Sequence, residues 1–493
     1  MQEMKEYILA LDQSTSGTKA ILIDRAGAVA CRSDLAHRQI VTPEGWAEHD
    51  PMEIWANVLA VSRLVMERCG VEPGQIRAIA IANQRETAVC WRRSTGLPLY
   101  NAVTWQCARA EELTWALSTR ETEARVRAVT GLRLSPYFSA AKFSWLLKNV
   151  GDVARAASEE DLCFGTVDAW LIYRLTRGVS FRTDVSNASR TQLLDLDSLD
   201  WSPEMLGLFG LERRMLPEVC ESNSLFGYSD LDGLLPEPVP ICGVLGDSQA
   251  ALLGNGCLDR GGAKLTLGTG TSVMVNAGSA RPRLSGGVVE SVGWKLNGRL
   301  CYVAEGNINY TGALIVWLKD RLCLIENSRD VGPIAAGLED NGGVYLVPAF
   351  TGLGAPHWRG DVRAAILGLG IGSGREHIIR AAEEAVAYQI ADVYGELTAS
   401  CGPIPLIYAD GGAKHDSFLM QFTADMLGCE LAPSEVEELS ALGAGCAAML
   451  ALGWTDEPGL AARRHLPGFR PAMEPARRER CYEGWKRAVK TLL

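Results

Sequence analysis

The sequence predicts an α/β fold built as two lobes. Three observations carry that expectation. β-rich and helical segments alternate along the whole chain. A strand, a turn built mostly of small polar residues and a second strand occur once in each half. And 493 residues are more than one hydrophobic core organises. The first copy of the repeated unit is Tyr7-Ile8-Leu9-Ala10-Leu11, then Asp12-Gln13-Ser14-Thr15-Ser16-Gly17-Thr18, then Lys19-Ala20-Ile21-Leu22-Ile23. The second is Ala263-Lys264-Leu265-Thr266-Leu267, then Gly268-Thr269-Gly270-Thr271-Ser272, then Val273-Met274-Val275. Turns of this composition bring backbone N–H groups and hydroxyls close to an anion, so the pair suggests two lobes gripping one polyphosphate. Two plain hairpin loops are the alternative.

Taken in order, strands are expected at 7–11, 18–24, 28–42 and 77–82. A helix over 52–69 follows Asp50-Pro51, a cap and a first-turn proline. Another begins after Thr166, with Val167, Trp170, Leu171 and Leu175 at helical spacing, and ends at Gly178. The proline-rich run 231–240 reads as a surface connection. The lobe boundary falls near Gly254, dividing the chain into 1–254 and 255–493. In the second half a long helix is expected over 376–397. One over 440–452 is so rich in glycine and alanine that it implies a close-packed neighbour. The segment 476–493 reads as a basic amphipathic helix with a solvated face and no partner.

Composition narrows the function classes. The formal net charge of -11 argues against a nucleic-acid or anionic-membrane partner. No apolar run approaches the roughly 20 residues of a membrane span, and the polar start Met1-Gln2-Glu3-Met4-Lys5-Glu6 leads straight into a strand. The 14 cysteines are scattered without a Cys-x-x-Cys pair, which fits free thiols in a cytoplasmic protein. The six histidines are equally dispersed and read as surface or core residues.

Several side chains stand where chemistry could be done. Asp12 leads out of a buried strand into the first turn; it could hold a hydrated Mg²⁺ against ATP phosphates or simply cap the turn. Arg85 and Glu86 follow the strand at 77–82, at the carboxyl-end edge where open α/β sheets bind ligands. Their donors and acceptors could hold a small polyhydroxyl compound, or form a surface ion pair. Trp105 and Tyr137 could supply a flat wall and a phenol, or pack in a core. Asp247, after a buried strand and a glycine, could take the proton of an attacking hydroxyl or cap a turn. Asp410-Gly411-Gly412-Ala413 could admit a flat ring to the backbone. The glycine-rich run 368–374 matches no dinucleotide fingerprint, and no G-x-x-x-x-G-K-[ST] run exists.

Longer stretches carry a family resemblance. They include Gly45-Trp46-Ala47-Glu48-His49-Asp50-Pro51, Asn83-Gln84-Arg85-Glu86-Thr87, Trp105-Gln106-Cys107, Phe164-Gly165-Thr166-Val167-Asp168, Asn187-Ala188-Ser189-Arg190-Thr191 and Pro348-Ala349-Phe350-Thr351-Gly352-Leu353-Gly354. From about Tyr7 onward the chain resembles the glycerol kinases of the FGGY carbohydrate kinase family. The resemblance implies two actin-like (ribonuclease H-like) ATPase domains with an interdomain cleft, ATP and Mg²⁺, and phosphorylation of glycerol to glycerol 3-phosphate. It implies Arg85, Glu86, Trp105, Tyr137, Asp247 and Ser248 at the polyol, with Asp247 as general base. Thr15, Ser16, Gly17, Lys19 and Thr269 would face the phosphates. Gly312, Val316, Gly412 and Asp416 would lie along the nucleotide, and Asp12 and Asp247 at the metal. A homo-oligomer is left open. The chain departs from the family pattern in having Ser272 in place of an aromatic, Ser248 and Val316 in place of Gln, Lys19 in place of Arg, and Asp416 in place of Asn. The loss at Ser272 opens space for a longer polyol or a ketose as acceptor. A non-catalytic ligand sensor of the same fold is the remaining alternative.

Overall fold

The computed structural model describes residues 5–284, 286–456 and 466–493. Two six-stranded sheets form its centre. In the first, the order in space is Leu225–Ser229, Val239–Gly246, Ile76–Asn83, Tyr7–Gln13, Gly17–Asp24, Val29–Ala36. In the second it is Val289–Leu296, Arg299–Ile308, Thr271–Gly278, Ala263–Leu267, Leu406–Asp410, Glu430–Pro433. Both start as an antiparallel meander and then gain two strands parallel to the first. The parallel additions require crossovers, which long intervening segments with helices supply. The repeated strand–turn–strand unit is therefore the opening hairpin of each of two like-built lobes.

Tyr7–Gln13 is buried along its whole length because helices cover both faces of its sheet. On the outer face lie Pro51–Cys69 and Val167–Leu175. The first is set as its sequence predicts: the Asp50 carboxylate accepts the Met52 N–H at 2.8 Å, Pro51 opens the helix, and Gly70 closes it at φ 64°. On the inner face lie Asp247–Gly254 and Leu439–Ala451. These two helices, one from each half of the chain, cross in the layer between the sheets. Leu439–Ala451 packs chiefly on strands of the first lobe although it belongs to the second half. The neighbour that its glycines implied is Asp247–Gly254. A Cβ on Gly443 would stand 1.8 Å from the Ala250 carbonyl oxygen, and one on Gly254 would stand 2.4 Å from that of Leu439. Gly443→Ala is accordingly expected to cost about 1–3 kcal/mol through overpacking; urea unfolding measures it, and an unchanged midpoint would show that the crossing yields freely.

Two expectations are corrected. The strand expected over 28–42 ends at Ala36, and Ile40–Val41 joins Ala47–His49 in a separate small sheet. The break lies at His37, whose ring bonds to the Thr15 carbonyl at 2.9 Å and whose N–H bonds to Ser16. The last helix, Pro475–Lys490, is also not free of a partner. Trp485 is buried, stacks on Tyr388 at 5.5 Å between centroids, and donates its indole N–H to Asp392 at 2.8 Å. Its charge pattern had obscured the short apolar stripe of Trp485, Ala488 and Val489. Smaller differences are end effects: the helix after Thr166 stops at Leu175, and the long helix runs Arg375–Cys401.

Candidate active site

The first strands of both lobes point their carboxyl ends at one cleft. Asp12 pairs in register with Lys19 across the first hairpin, and Asp247 opens the helix after Val239–Gly246, a helical first residue where a turn was expected. From the other lobe come Lys264, Thr266 and Asp410, with Glu438 from the start of the crossing helix. Together with Ser248 they line a cavity of about 150 Å³. Asp12 is buried, and its Oδ1 has no hydrogen-bond partner. Burial pushes its carboxyl up to about 7, against the pull of Lys19 and with a push from Asp247 and Glu438. Asp410 is raised by burial as well, and its Oδ2 is also unpartnered. Lys19 lines the same cavity but is not a free cation there: its Nζ binds Glu438 at 2.9 Å, bridging the halves of the chain.

Beside this cleft is a buried ion network. Glu86 adopts φ 61°, a left-handed conformation that turns it and Arg85 into the site. Arg85 donates through Nη1 and Nη2 to the two carboxylate oxygens of Glu305 at 3.0 and 2.9 Å, a bidentate clamp. Its Nε lies 3.3 Å from Asp247 Oδ1. Arg190 donates to Glu86 at 2.6 Å and lies 3.1 Å from Glu305. Burial would raise the Glu305 carboxyl, but Arg85 and Arg190 outweigh it and hold it well below the usual carboxylate range. Ser272 donates to the same carboxylate at 2.8 Å. Trp105 and Tyr137 form an edge-to-face pair at 5.6 Å, and the Trp105 indole donates to Thr15 Oγ at 2.9 Å, tying that wall to the first turn. Burial drives the Tyr137 phenol well above its ordinary pKa.

A third region is a cavity of about 1290 Å³ in the second lobe. Thr269, Gly312, Val316, Gly412 and Asp416 all line it. Gly312 bonds back to the Gly268 carbonyl at 3.0 Å, and a Cβ there would sit 2.8 Å from that oxygen, so the helix Gly312–Asp320 starts hard against the second turn. Asp416 caps Ser417–Leu427 by accepting the Leu419 N–H at 3.0 Å. Thr15, Ser16 and Gly17 line neither cavity. Their turn is closed by Ser14 N–H to Gly17 at 2.9 Å, and Gly17 is required because a Cβ would lie 2.5 Å from Leu35 O.

Glu305, Arg190, Gln249 and Lys264 have no role of their own in the sequence reading, and Asp410 enters it only as the start of a glycine turn. Two of them carry a visible signal. Glu305 and Lys264 are charges inside strands that otherwise read apolar, Cys301-Tyr302-Val303-Ala304-Glu305 and Ala263-Lys264-Leu265. No three metal-ligating side chains converge among the described residues. The orphaned Asp12 oxygen facing Asp247 fits Mg²⁺, which completes its shell with water and phosphate oxygens.

Like-built lobes, a carboxylate-bearing cleft between them and a large nucleotide-sized cavity on one side define a two-lobed phosphotransferase. Residues 7–254 match the N-terminal domain of the FGGY family of carbohydrate kinases, and residues 263–452 match its C-terminal domain. The chain is 47% identical over 491 residues to glycerol kinase 1 of Thermotoga maritima, covering 99% of both chains. It is 42% identical over 493 residues to the glycerol kinase of Alkaliphilus oremlandii, covering 99% of this chain and 98% of that one. The crystal structure of Plasmodium falciparum glycerol kinase with ADP superimposes with a TM-score of 0.92 at 33% identity, over 99% of this chain and 98% of that one. The chain belongs to the FGGY family of carbohydrate kinases.

Proposed function

We propose that this kinase transfers the γ-phosphoryl group of ATP to a terminal hydroxyl of glycerol, giving glycerol 3-phosphate and ADP. The observation that carries the reading is the Arg85–Glu86–Asp247 group, held by Glu305 and Arg190 at the edge of the cleft. It sits in a chain whose curated relatives are glycerol kinases along their full length. Residues 1–254 would bind the polyol and residues 255–493 the nucleotide. Arg85, Glu86, Trp105, Tyr137 and Ser248 orient the acceptor so that its oxygen stands in line with the γ-phosphorus. Asp247 takes the hydroxyl proton as that oxygen bonds to phosphorus and the bond to the β–γ bridging oxygen breaks. Mg²⁺, held through Asp12 and Asp247, neutralises phosphate charge when bound. Thr269, Gly312, Val316, Gly412 and Asp416 surround the nucleotide, and the Thr15–Ser16–Gly17 turn with Lys19 meets its phosphates when the lobes close.

No helix among the described residues is long and apolar enough to cross a membrane, and all 14 cysteines are free thiols; both agree with a cytoplasmic setting. Ser272 favours a second reading, in which the acceptor is longer: its short side chain is turned to Glu305 and offers no apolar wall. Steady-state phosphorylation of glycerol, erythritol, a pentitol and a pentulose decides between them. Glycerol is expected to give the highest kcat/KM; glycerol inert beside a reactive longer polyol would move the assignment to that compound.

A further inference from the structure

One side chain in the large cavity takes no part in the transfer described above. Glu383 lies in the middle of Arg375–Cys401 and lines the cavity with Val386. It is only 3% exposed, and its Oε2 has no hydrogen-bond partner. Its neighbour Glu384, by contrast, is fully engaged. It accepts from Arg380 at 2.7 Å, from Asn341 at 2.8 Å and from Tyr388 at 3.1 Å. Arg380 Nη1 also donates to the carbonyls of Ala335 and Leu338. Among the described residues no cation forms an ion pair with Glu383.

The other charged or titratable groups lining this cavity are Asp416, His415 and Arg329. Asp416 is committed as a helix cap, its carboxylate accepting the Leu419 N–H. Burial, reinforced by Asp416, pushes the Glu383 carboxyl up to about 8, so Glu383 keeps a proton near neutral pH. A neutral carboxyl presents a donor and an acceptor side by side. Around it the cavity wall is apolar, formed by Pro333, Ala336, Val386, Phe418 and Leu419, which suits a flat ring. A buried polar group without a partner is uncommon in a folded protein and calls for an explanation.

We propose that Glu383 reads the edge of the nucleotide base, its carboxyl accepting from the exocyclic amino group of adenine and donating to the adjacent ring nitrogen. This rests on the reading of the cavity as the nucleotide site. Titration calorimetry of the full chain with ADP and with purine riboside diphosphate, which lacks the amino group, tests it. The wild type is expected to prefer ADP roughly tenfold, the weight of one or two neutral hydrogen bonds. Glu383→Leu should bind both compounds equally, and Glu383→Gln, which keeps a donor and an acceptor, should restore the preference. The ligand-free Glu383→Leu protein should melt no lower than the wild type, because a buried unpartnered group has been removed. Full retention of the ADP preference in Glu383→Leu, or no preference in the wild type, would overturn the proposal. Gly412→Leu separates the two levels. A Cβ there meets nothing within 4 Å, so a side chain has room at the cavity wall, and circular dichroism checks that the variant is folded. Normal ADP binding by Gly412→Leu would remove the nucleotide site itself. Lost binding there, with the preference intact in Glu383→Leu, would remove only the role of Glu383.

Discussion

Asp247→Asn is expected to lower kcat by ~10²–10⁴-fold, the usual contribution of a positioned general base, while the melting temperature stays within a few degrees. The carboxylate lies at the mouth of the interlobe cavity, 33% exposed at its side chain, with Arg85 Nε at 3.3 Å and its own helix N–H, that of Ser248, at 2.6 Å. An amide keeps the size and one acceptor but cannot take a proton. Because the side chain is only partly buried, the exchange leaves the core untouched. The KM for glycerol should change far less than kcat, since Arg85 and Glu86 remain to hold the acceptor. Near-normal turnover would remove Asp247 from the chemistry and leave it as a helix-terminal residue.

The largest effect on stability is expected from Glu305→Gln. Glu305 and Arg190 are each fully buried, and Arg85 nearly so. Removing the charge that two guanidinium groups share leaves Arg190 with Glu86 alone and Arg85 with Asp247 and Glu86, fewer acidic partners for two buried cations, which costs about 3–5 kcal/mol. The bidentate clamp on Arg85 is lost with it, so the KM for glycerol should rise alongside. Chemical denaturation and steady-state kinetics read the two effects. The same group dictates an acid dependence. Its folded pKa lies below its unfolded one, so its stabilisation is complete above the ordinary glutamate value of 4.5 and declines as pH falls below it. Between pH 6 and pH 3, a wild type that loses stability more steeply than Glu305→Gln would bear this out; parallel curves would show that Glu305 is not the group responsible.

Fold class and lobe count were legible because they rest on periodicity. Two hairpins with small polar turns announced two meanders, and Asp50-Pro51 with Gly70 fixed both ends of one helix. What pattern could not supply was partnership across distance. Glu305 lies 220 residues from Arg85, and its strand reads as an ordinary apolar run with one acid in it. Lys19 is placed at the phosphates by the family resemblance alone, and nothing near it in the sequence announces its partner Glu438, 419 residues away. The final helix misled for a different reason: the lysines and arginines of Pro475–Lys490 outnumber the few residues that dock it, so its charge dominated the reading. Asp12 and Asp247 were found because each ends a buried strand or begins the element after it, a local signal.

The crossing of Asp247–Gly254 with Leu439–Ala451 has one more implication. Backbones touch there without intervening side chains, so the two halves of the chain are joined within about two helical turns of Asp247. Asp247 opens one of those helices, whereas Gly312 opens a helix of the other lobe, hard against the second turn with Thr269. The proton acceptor therefore inherits the firmness of that seam, and a side chain wedged into it would tilt the very helix that carries the carboxylate.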